Sequence, residues 1–155
     1  MAPSFKPQRS TEVPGLPLTP RNSRLPAGFY RGTSTLYNDA TFQGLYTRRK
    51  IPYRTVIGEY YGEKLTLEQA QRRNSNYQFE VRKFRSNEVE FVLDGKYKKY
   101  SSFVRYVNAA NYIHQQNCKF VQRGKRIFLV ARCDILPGSE LLAWYGAQTG
   151  VLIEQ

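Results

Sequence analysis

The feature that most constrains the fold of this sequence is a series of short apolar runs with a period close to two. Such alternation places side chains on the two faces of an extended strand, whereas a helix needs a period near 3.6. The runs are also rich in Val, Ile, Phe and Tyr, which favour strands. They cover residues 55–62 (TVIGEYYG), 76–83 (NYQFEVRK), 88–93 (EVEFVL) and 126–131 (RIFLVA). The chain is therefore predicted to be mostly β, with short strands and one or two small helices.

Local turn and cap signals agree with this interpretation. Residues 120–128 predict a hairpin, with Gly124 in the turn QRGKR. Thr66 and Gln69 form a T-x-x-Q capping box that opens a helix at TLEQAQRR. The chain has 155 residues, of which 41% are hydrophobic, and this is enough for one domain with a packed core.

The N-terminal part of the chain has a different composition. Residues 1–27 hold six of the eight prolines and show no hydrophobic period, so they predict a flexible tail, with order beginning near residues 28–30. No run in the chain is long and apolar enough to span a membrane, so no membrane partner is expected.

The chain is strongly basic, with 24 Lys and Arg against 12 Asp and Glu and a net charge of +12. This balance indicates an anionic partner such as nucleic acid or chromatin. The basic clusters are either a solvated surface or a footprint for DNA phosphate, and affinity for DNA would fall steeply with salt. The clusters are Arg48-Arg49-Lys50, Arg82-Lys83-Arg85, Lys96-Lys98-Lys99 and Arg123-Lys125-Arg126.

Several common kinds of site are excluded or disfavoured. The sequence has no phosphate-binding loop and no dinucleotide fingerprint. Two cysteines, Cys118 and Cys133, are too few for a Cys-only zinc site, so no metal is expected and both are interpreted as small core residues. His114 is the only histidine and leaves no nucleophile–base pair, so it is interpreted as a surface or turn residue. Glu59 and Glu63 could be paired carboxylates, but they fit a polar strand edge equally well.

One segment of this basic chain carries no formal charge, namely residues 106–118 (YVNAANYIHQQNC). It combines three asparagines and two glutamines with the single histidine. Two further segments have distinctive patterns. Residues 44–66 contain a Gly-bearing strand, an I-P turn and G-E-Y-x-G-E, and residues 124–146 contain a hairpin strand, an I-x-P-G-x-E-L turn and W-Y-G.

In this order and spacing, the three segments resemble the SET domain of protein-lysine methyltransferases. The R-Y-V-N motif, the Q-N pair at residues 116–117 and L-L-x-W-Y-G are most similar to the PR subclass. The resemblance covers residues 25–146. It implies a SET-domain β-clip-like fold of small sheets with a C-terminal pseudoknot, in which residues 105–118 thread under a loop of the C-terminal segment. It also divides the chain into a Pro-rich tail at 1–24, a PR/SET-like domain at 25–147 and an extension at 148–155.

The resemblance further implies that the uncharged segment is buried and lines a pocket for S-adenosylmethionine. Charged side chains are costly in such a place, whereas amides can be satisfied by backbone and cofactor. Asn108 is the central residue of this expectation, and the alternative is that it is a turn residue with left-handed tendency. The implied cofactor contacts are Leu45, Tyr46, Arg48, Arg105, Tyr106, Asn108 and Ala109.

For catalysis, the resemblance implies that Tyr145 orients the incoming lysine amine and that Tyr77 is a second channel tyrosine. A packed strand aromatic is an equal interpretation of Tyr77, and Trp144 is expected to pack the C-terminal turn. The sequence departs from most SET domains in two places. Ala109-Ala110 replaces a His-Ser pair, as in the PR subclass, and Phe42 replaces the first glycine of G-x-G, of which Gly44 is the second.

We therefore expect a nuclear, S-adenosylmethionine-dependent protein-lysine methyltransferase acting on histone lysines. Its basic clusters would contact nucleosomal DNA, while an acidic groove formed by Glu59, Glu63 and Glu90 would take the lysine. Two alternatives stay open from the sequence. One is a catalytically silent PR domain that serves as a protein-interaction module, and the other is a basic nucleic-acid-binding protein.

Overall fold

The structure, a computed structural model, describes residues 19–20 and 22–143 and the backbone of residues 151–154. Trp144 and Tyr145, most of the predicted tail at 1–24 and part of the extension at 148–155 lie outside the described residues. None of the helices in the described ranges is long and apolar enough to span a membrane.

The described chain forms three small sheets and one α-helix, as the alternating pattern predicted. The mostly β fold class and the SET-like architecture are confirmed. The first sheet is the antiparallel pair β1 (Phe29–Thr33) and β2 (Gln43–Thr47). The remaining strands are β3 (Val56–Tyr60), β4 (Glu63–Leu65), β5 (Gln78–Arg82), β6 (Val89–Asp94), β7 (Asn108–Ala109), β8 (Cys118–Arg123), β9 (Arg126–Ala131), β10 (Leu142–Ala143) and β11 (Val151–Glu154). The second sheet has the order β3-β9-β8-β10-β7, with β11 also paired to β8, and the third sheet has the order β4-β6-β5.

Helix α1 (Leu67–Arg73) begins where the capping box predicted. The Thr66 hydroxyl accepts from the Gln69 N–H, and the Gln69 side chain accepts from the Thr66 N–H. Three 3₁₀ turns, Lys98–Tyr100, Phe103–Tyr106 and Ile113–Gln115, join the later strands. The predicted hairpin is also present, since β8 pairs with β9 and Gly124 takes a φ of 61° at the turn.

Aromatic side chains form the centre of the main core, where the sheets meet. Phe79 from β5 packs between Tyr60 and Phe120, with ring centroids 4.6 and 4.7 Å apart. Phe103, in a 3₁₀ turn, packs against Phe29 at 4.9 Å. These rings are almost fully buried, and each removes enough apolar surface to contribute about 1.5–3 kcal/mol to folding. The core therefore fixes β1, β3, β5 and β8 around the turn that precedes residues 107–109.

Strand β10 lies between β7 and β8, both of which come well before it in the sequence. Leu142 pairs with Asn108, and Ala143 pairs with Ala109 and Cys118. The Ala110 N–H also donates to the Ala143 carbonyl at 2.8 Å. This insertion of a late segment between two earlier ones is the arrangement expected of the pseudoknot.

Contacts with the sheet begin earlier in the chain than residues 28–30. Thr19 is only 7% exposed, and its hydroxyl accepts from the Glu59 N–H at 3.0 Å. The Tyr61 hydroxyl donates to the Thr19 carbonyl. Because β3 is an edge strand of its sheet, Thr19 satisfies a backbone donor that would otherwise face solvent.

The interpretation of the two cysteines as core residues holds for one of them only, whereas the interpretation of the histidine is confirmed. Cys118 is fully buried as expected, and burial raises the pKa of its thiol. Cys133 is exposed, so its placement in the core is wrong. The reason is that β9 ends at Ala131, and Cys133 belongs to the bend that follows it. His114 is exposed within a 3₁₀ turn, as predicted.

Candidate functional site

A cleft of about 860 Å³ opens between the sheets. Three stretches supply most of its wall: residues 41–43 before and at the start of β2, residues 76–80 before and within β5, and residues 104–109. Tyr60 and Arg31 complete part of the lining. Of the residues singled out from the sequence, the cleft brings together Tyr77, Arg105, Tyr106, Asn108 and Ala109.

Asn108 lies at the wall of this cleft, but protein groups take up its amide hydrogens. Its Nδ2 donates to the Gln43 carbonyl at 2.9 Å and to Glu140 Oε2 at 3.1 Å. The amide therefore joins β7 both to β2 and to the C-terminal segment. The side chain holds the cleft wall in place, and its remaining amide oxygen is the group with capacity to accept from a ligand.

Glu140 is the centre of a polar network that holds these segments together. It is 5% exposed and makes no ion pair within the described residues. Its carboxylate instead accepts from the Ser34 hydroxyl at 2.9 and 3.1 Å, and from the Thr35 N–H and hydroxyl, each at 2.7 Å. Asn108 adds a further donor. A buried carboxylate needs such donors because burial without them is costly.

Gly44 leaves the space that this carboxylate occupies. A Cβ at residue 44 would overlap the Glu140 carboxylate. The second glycine of the predicted G-x-G pattern therefore admits a protein carboxylate, and no ligand needs to be invoked for it. This explains why Gly44 is present although Phe42 stands at the first glycine position.

Gly44→Ala is expected to lower the free energy of unfolding by about 1–3 kcal/mol, since the new methyl group forces Glu140 out of its network. Thermal or urea unfolding measures the change. Gly32→Ala is the matched control, because Gly32 pairs with Gly44 across the two strands and needs only a small shift of the Tyr46 ring. Equal stability of the two variants would contradict this role for Gly44.

Asn117 provides a second amide clamp on the C-terminal segment. Its Nδ2 donates to the Glu140 carbonyl at 2.8 Å, and its Oδ1 accepts from the Leu142 N–H at 2.9 Å. The uncharged segment thus uses amides to satisfy the backbone of an inserted strand. It is not buried throughout, however: residues 111–114 are exposed, because they form a surface turn capped by Gln115.

Arg105 lies in the cleft wall and fixes it through three contacts. Its Nε donates to the Gly95 carbonyl at 3.1 Å, its Nη2 donates to the Lys96 carbonyl at 3.0 Å, and its guanidinium lies 4.2 Å from the centre of the Tyr77 ring.

The pKa of Tyr106, the next residue in the cleft wall, is lowered. Burial raises this pKa, but a hydrogen bond with Ser23 and the positive charges of Lys98 and Arg105 together lower it by more.

Tyr60 and Tyr77 are joined at the cleft by a hydrogen bond from a side chain to the backbone. The Tyr60 hydroxyl donates to the Tyr77 carbonyl at 2.6 Å, and Tyr60 is 2% exposed. Tyr77 precedes β5 and is 36% exposed, so it is a cleft-wall residue and not a packed strand aromatic.

Three of the proposed cofactor contacts lie away from the cleft lining. Leu45 is fully buried in the main core. The Tyr46 hydroxyl donates to the Thr33 carbonyl, and burial together with the nearby Glu140 charge raises its pKa. The Arg48 guanidinium stacks 4.4 Å from the Tyr30 ring. The part of this strand pair that reaches the cleft is instead its start, at residues 41–43.

The expectation that Glu59, Glu63 and Glu90 form an acidic groove for the lysine is wrong, because each of these carboxylates pairs with a cationic side chain of the protein. Arg126 pairs with Glu59, with Nε 2.7 Å from Oε2, and this hydrogen bond raises the pKa of Arg126. The other two pairs are Arg73–Glu63 at 2.8 Å and Lys125–Glu90 at 2.9 Å.

Glu140 and Tyr60 were not predicted from the sequence as site residues. Glu140 is the glutamate of the I-x-P-G-x-E-L turn, and Tyr60 lies in G-E-Y-x-G-E. Both motifs were recognised, but the partners of these two residues are remote in sequence. Their place inside a recognised motif was the signal that the sequence offered for either residue.

Small sheets around an inserted C-terminal strand, with a cleft along residues 104–109, define a PR/SET fold. The same fold occurs in the methyltransferase domain of human PR domain-containing protein 2, with a TM-score of 0.63, 24% identity and coverage of 84% of this chain and 80% of that one. Residues 32–154 match the family model for the PR domain of PR domain zinc finger protein 2. The chain belongs to the PR domain family.

Two further relatives extend this comparison. Histone-lysine N-methyltransferase PRDM7 of Homo sapiens is 33% identical over 125 residues, which cover 81% of this chain and 23% of PRDM7. The structure of ctPRC2 in an autoinhibited conformation bound to S-adenosylmethionine has a TM-score of 0.60 and 25% identity, covering 79% of this chain and 15% of that one. The chain spans between 11% and 23% of the length of four curated relatives that match it, PRDM7 among them.

Proposed function

We propose that the protein is an S-adenosylmethionine-dependent protein-lysine N-methyltransferase that acts on histone lysines in the nucleus. The observation that carries the proposal is the cleft in which residues 41–43, residues 104–109 and Tyr77 meet. Family membership supports it, because relatives such as PRDM7 are named histone-lysine N-methyltransferases.

The residues of the cleft fit such a cofactor. Its volume of about 860 Å³ lies within the range of small-molecule sites, about 300–1,000 Å³. Phe42, which is 45% exposed, offers an aromatic face for a purine, and Arg31, whose guanidinium lies 4.0 Å from the Tyr106 ring centre, offers a charge for a carboxylate. S-adenosylmethionine, when bound, supplies an activated methyl group on a sulfonium centre.

The protein's own groups would prepare the lysine for attack. An amine must be neutral to act as a nucleophile, and apolar walls lower the pKa of a lysine because they disfavour its charged form. Phe79, Val104 and Val107 supply such walls. Tyr145 would orient the amine, and Tyr77 would border the channel. The buried Tyr60 hydroxyl, by holding the Tyr77 carbonyl, keeps that border in position.

Asn108→Ala is expected to weaken S-adenosylmethionine binding while leaving the protein folded. The change removes the amide that ties β7 to Gln43 and Glu140, and with it any contact from the free amide oxygen. The loss corresponds to about 1–3 kcal/mol, or about a five- to 150-fold rise in Kd. Isothermal titration calorimetry measures the binding, and circular dichroism checks the fold.

Ser34→Ala is the matched control for this experiment. Ser34 donates to the same Glu140 carboxylate but does not line the cleft, so cofactor affinity should hardly change. Unchanged affinity in Asn108→Ala, with an unchanged circular dichroism spectrum, would remove the cofactor assignment. An equal loss in both variants would assign the effect to the Glu140 network and not to the cleft wall.

Two other functions remain candidates. A catalytically silent PR domain acting as an interaction module predicts no cofactor binding despite the fold. A basic nucleic-acid-binding protein predicts salt-sensitive binding that does not depend on Asn108. Contact with nucleosomal DNA through basic clusters is part of our proposal, and it is supported by the net charge of +12. The proposed protein partner is a histone or another lysine-containing protein.

A further inference from the structure

The four basic clusters of the sequence differ in how far the protein neutralises them. In three of them, guanidinium or ammonium groups pair with carboxylates or contact other protein groups. Arg48 stacks on Tyr30, and Arg49 donates to the Ala27 carbonyl. The ion pairs are Lys50–Asp134 at 3.5 Å, Lys83–Glu88 at 3.8 Å, Lys125–Glu90 at 2.9 Å, Arg82–Glu80 and Arg126–Glu59.

The fourth cluster, Lys96, Lys98 and Lys99, has no carboxylate partner within the described part of the chain. All three residues are exposed. The ammonium groups of Lys96 and Lys99 lie over the rings of Tyr97 and Tyr100, which attract a cation but do not neutralise its charge. The three positive charges within four residues repel one another, and a bound polyanion would relieve that repulsion. Each of the other three clusters, in contrast, includes at least one ion pair with a carboxylate.

The same segment displays two tyrosines, one between Lys96 and Lys98 and one directly after Lys99. Tyr97 and Tyr100 are 46% and 47% exposed, although a tyrosine ring would normally bury most of its area. The Tyr100 N–H donates to the Tyr97 carbonyl at 3.0 Å and closes a 3₁₀ turn. Tyr97 precedes this turn with an extended backbone and Tyr100 is its last residue, so the two tyrosines stand at its two ends.

The backbone that carries these side chains is fixed by hydrogen bonds on both sides. The Lys96 N–H donates to Asp94 Oδ1 at 2.8 Å, and the Arg105 guanidinium donates to the carbonyls of Gly95 and Lys96. Asp94 is fully buried. The lysines and tyrosines thus project from an ordered turn, which reduces the entropy lost when a ligand binds.

We propose that residues 96–100 (KYKKY) form a binding site for single-stranded nucleic acid. The three lysines would contact successive phosphates, and the two tyrosine rings would stack on unpaired bases. A positively charged track with interleaved aromatic rings is the chemistry that binds single strands. Duplex DNA offers phosphates but keeps its bases stacked inside, and an acidic protein offers carboxylates for the lysines but no series of exposed bases for the rings. The site adjoins the rim of the cleft through Arg105, but it does not rest on methyl transfer.

The test uses fluorescence anisotropy with three labelled probes of equal length: oligouridylate, oligothymidylate and a mixed-sequence DNA duplex. The triple variant Lys96→Ala/Lys98→Ala/Lys99→Ala should raise the Kd for both single strands at least about tenfold. It should also reduce the slope of log K against log salt by about two, since each phosphate contact contributes about 0.7.

The control is Lys50→Ala/Lys83→Ala/Lys125→Ala, which removes the same charge from exposed lysines that already have partners. Its Kd should change less than about threefold. A second variant, Tyr97→Leu/Tyr100→Leu, keeps every charge and should weaken single-strand binding by about tenfold or more, while leaving any duplex binding unchanged.

Equal losses in the two lysine variants would overturn the site, because net charge alone would then explain the binding. Tight duplex binding with no effect of the tyrosine variant would overturn the single-strand assignment. Unlabelled oligouridylate and poly-glutamate are compared as competitors of the labelled probe. If poly-glutamate displaces the probe as effectively as oligouridylate does, the segment binds an acidic protein partner, which contradicts the proposal. Circular dichroism on each variant ensures that only folded protein is compared.

Discussion

Glu140→Ala is expected to lower the free energy of unfolding by about 2–4 kcal/mol and to weaken cofactor binding with it. The carboxylate is the common acceptor for Ser34, Thr35 and Asn108, and its removal leaves several buried donors without a partner. Each unsatisfied donor costs about 1–3 kcal/mol, partly offset where water enters the space. Urea unfolding monitored by circular dichroism measures the stability, and calorimetry measures the binding.

Glu90→Ala is the matched control for the Glu140 prediction. It also removes one carboxylate, but Glu90 pairs with Lys125, whose side chain is 68% exposed, so the loss should stay below about 1 kcal/mol. If Glu140→Ala is as stable as Glu90→Ala, the Glu140 network does not hold the C-terminal segment, and the account of residues 108–117 as amide clamps is wrong.

Tyr145→Phe is expected to damage methyl transfer far more than cofactor binding. The prediction rests on the resemblance of the W-Y-G motif to SET domains, in which this hydroxyl orients the amine. Losing it should lower turnover by a factor on the order of ten to a thousand, since positioning at the reacting centre is lost while the ring remains. The measurement is transfer of labelled methyl groups to purified histones, beside a binding titration.

A changed ratio of singly to multiply methylated product is also compatible with this role, because the hydroxyl limits the space around the amine. Tyr46→Phe is a suitable control. It likewise removes one tyrosine hydroxyl, and that hydroxyl is bound to the Thr33 carbonyl away from the cleft lining. If Tyr145→Phe transfers methyl groups at the wild-type rate with the wild-type product ratio, Tyr145 is a packing residue.

Much of the fold could be predicted because it depends on local signals. The period-two runs became β9 with unchanged ends and β3, β5 and β6 with ends shifted by one or two residues, and the capping box located α1. The two-residue strands β7 and β10 could not be found in this way, because their existence depends on pairing with each other across the chain. Only the family resemblance predicted that the C-terminal segment passes beside residues 108–110.

The part of the candidate site that could be predicted also lies in one local stretch of the sequence. Arg105, Tyr106, Asn108 and Ala109 lie in one short segment, so placing the segment placed all four. The Asn108 amide donates to Glu140, which lies 32 residues later in the chain, and no local sequence pattern indicates so remote a hydrogen-bond partner. Counts of charge also could not distinguish paired from unpaired lysines. Pairing depends on carboxylates such as Asp134 and Glu88 that come close only in the folded sheets.

The measurement that tests the central claim most directly is mass spectrometry of core histones and nucleosomes after incubation with the wild-type protein and S-adenosylmethionine. The account predicts lysine residues that carry one or more added methyl groups, in amounts that rise with time and fall in Asn108→Ala and Tyr145→Phe. Wild-type protein that neither binds S-adenosylmethionine by calorimetry nor methylates any lysine would contradict the claim and favour the interaction-module function for this PR domain.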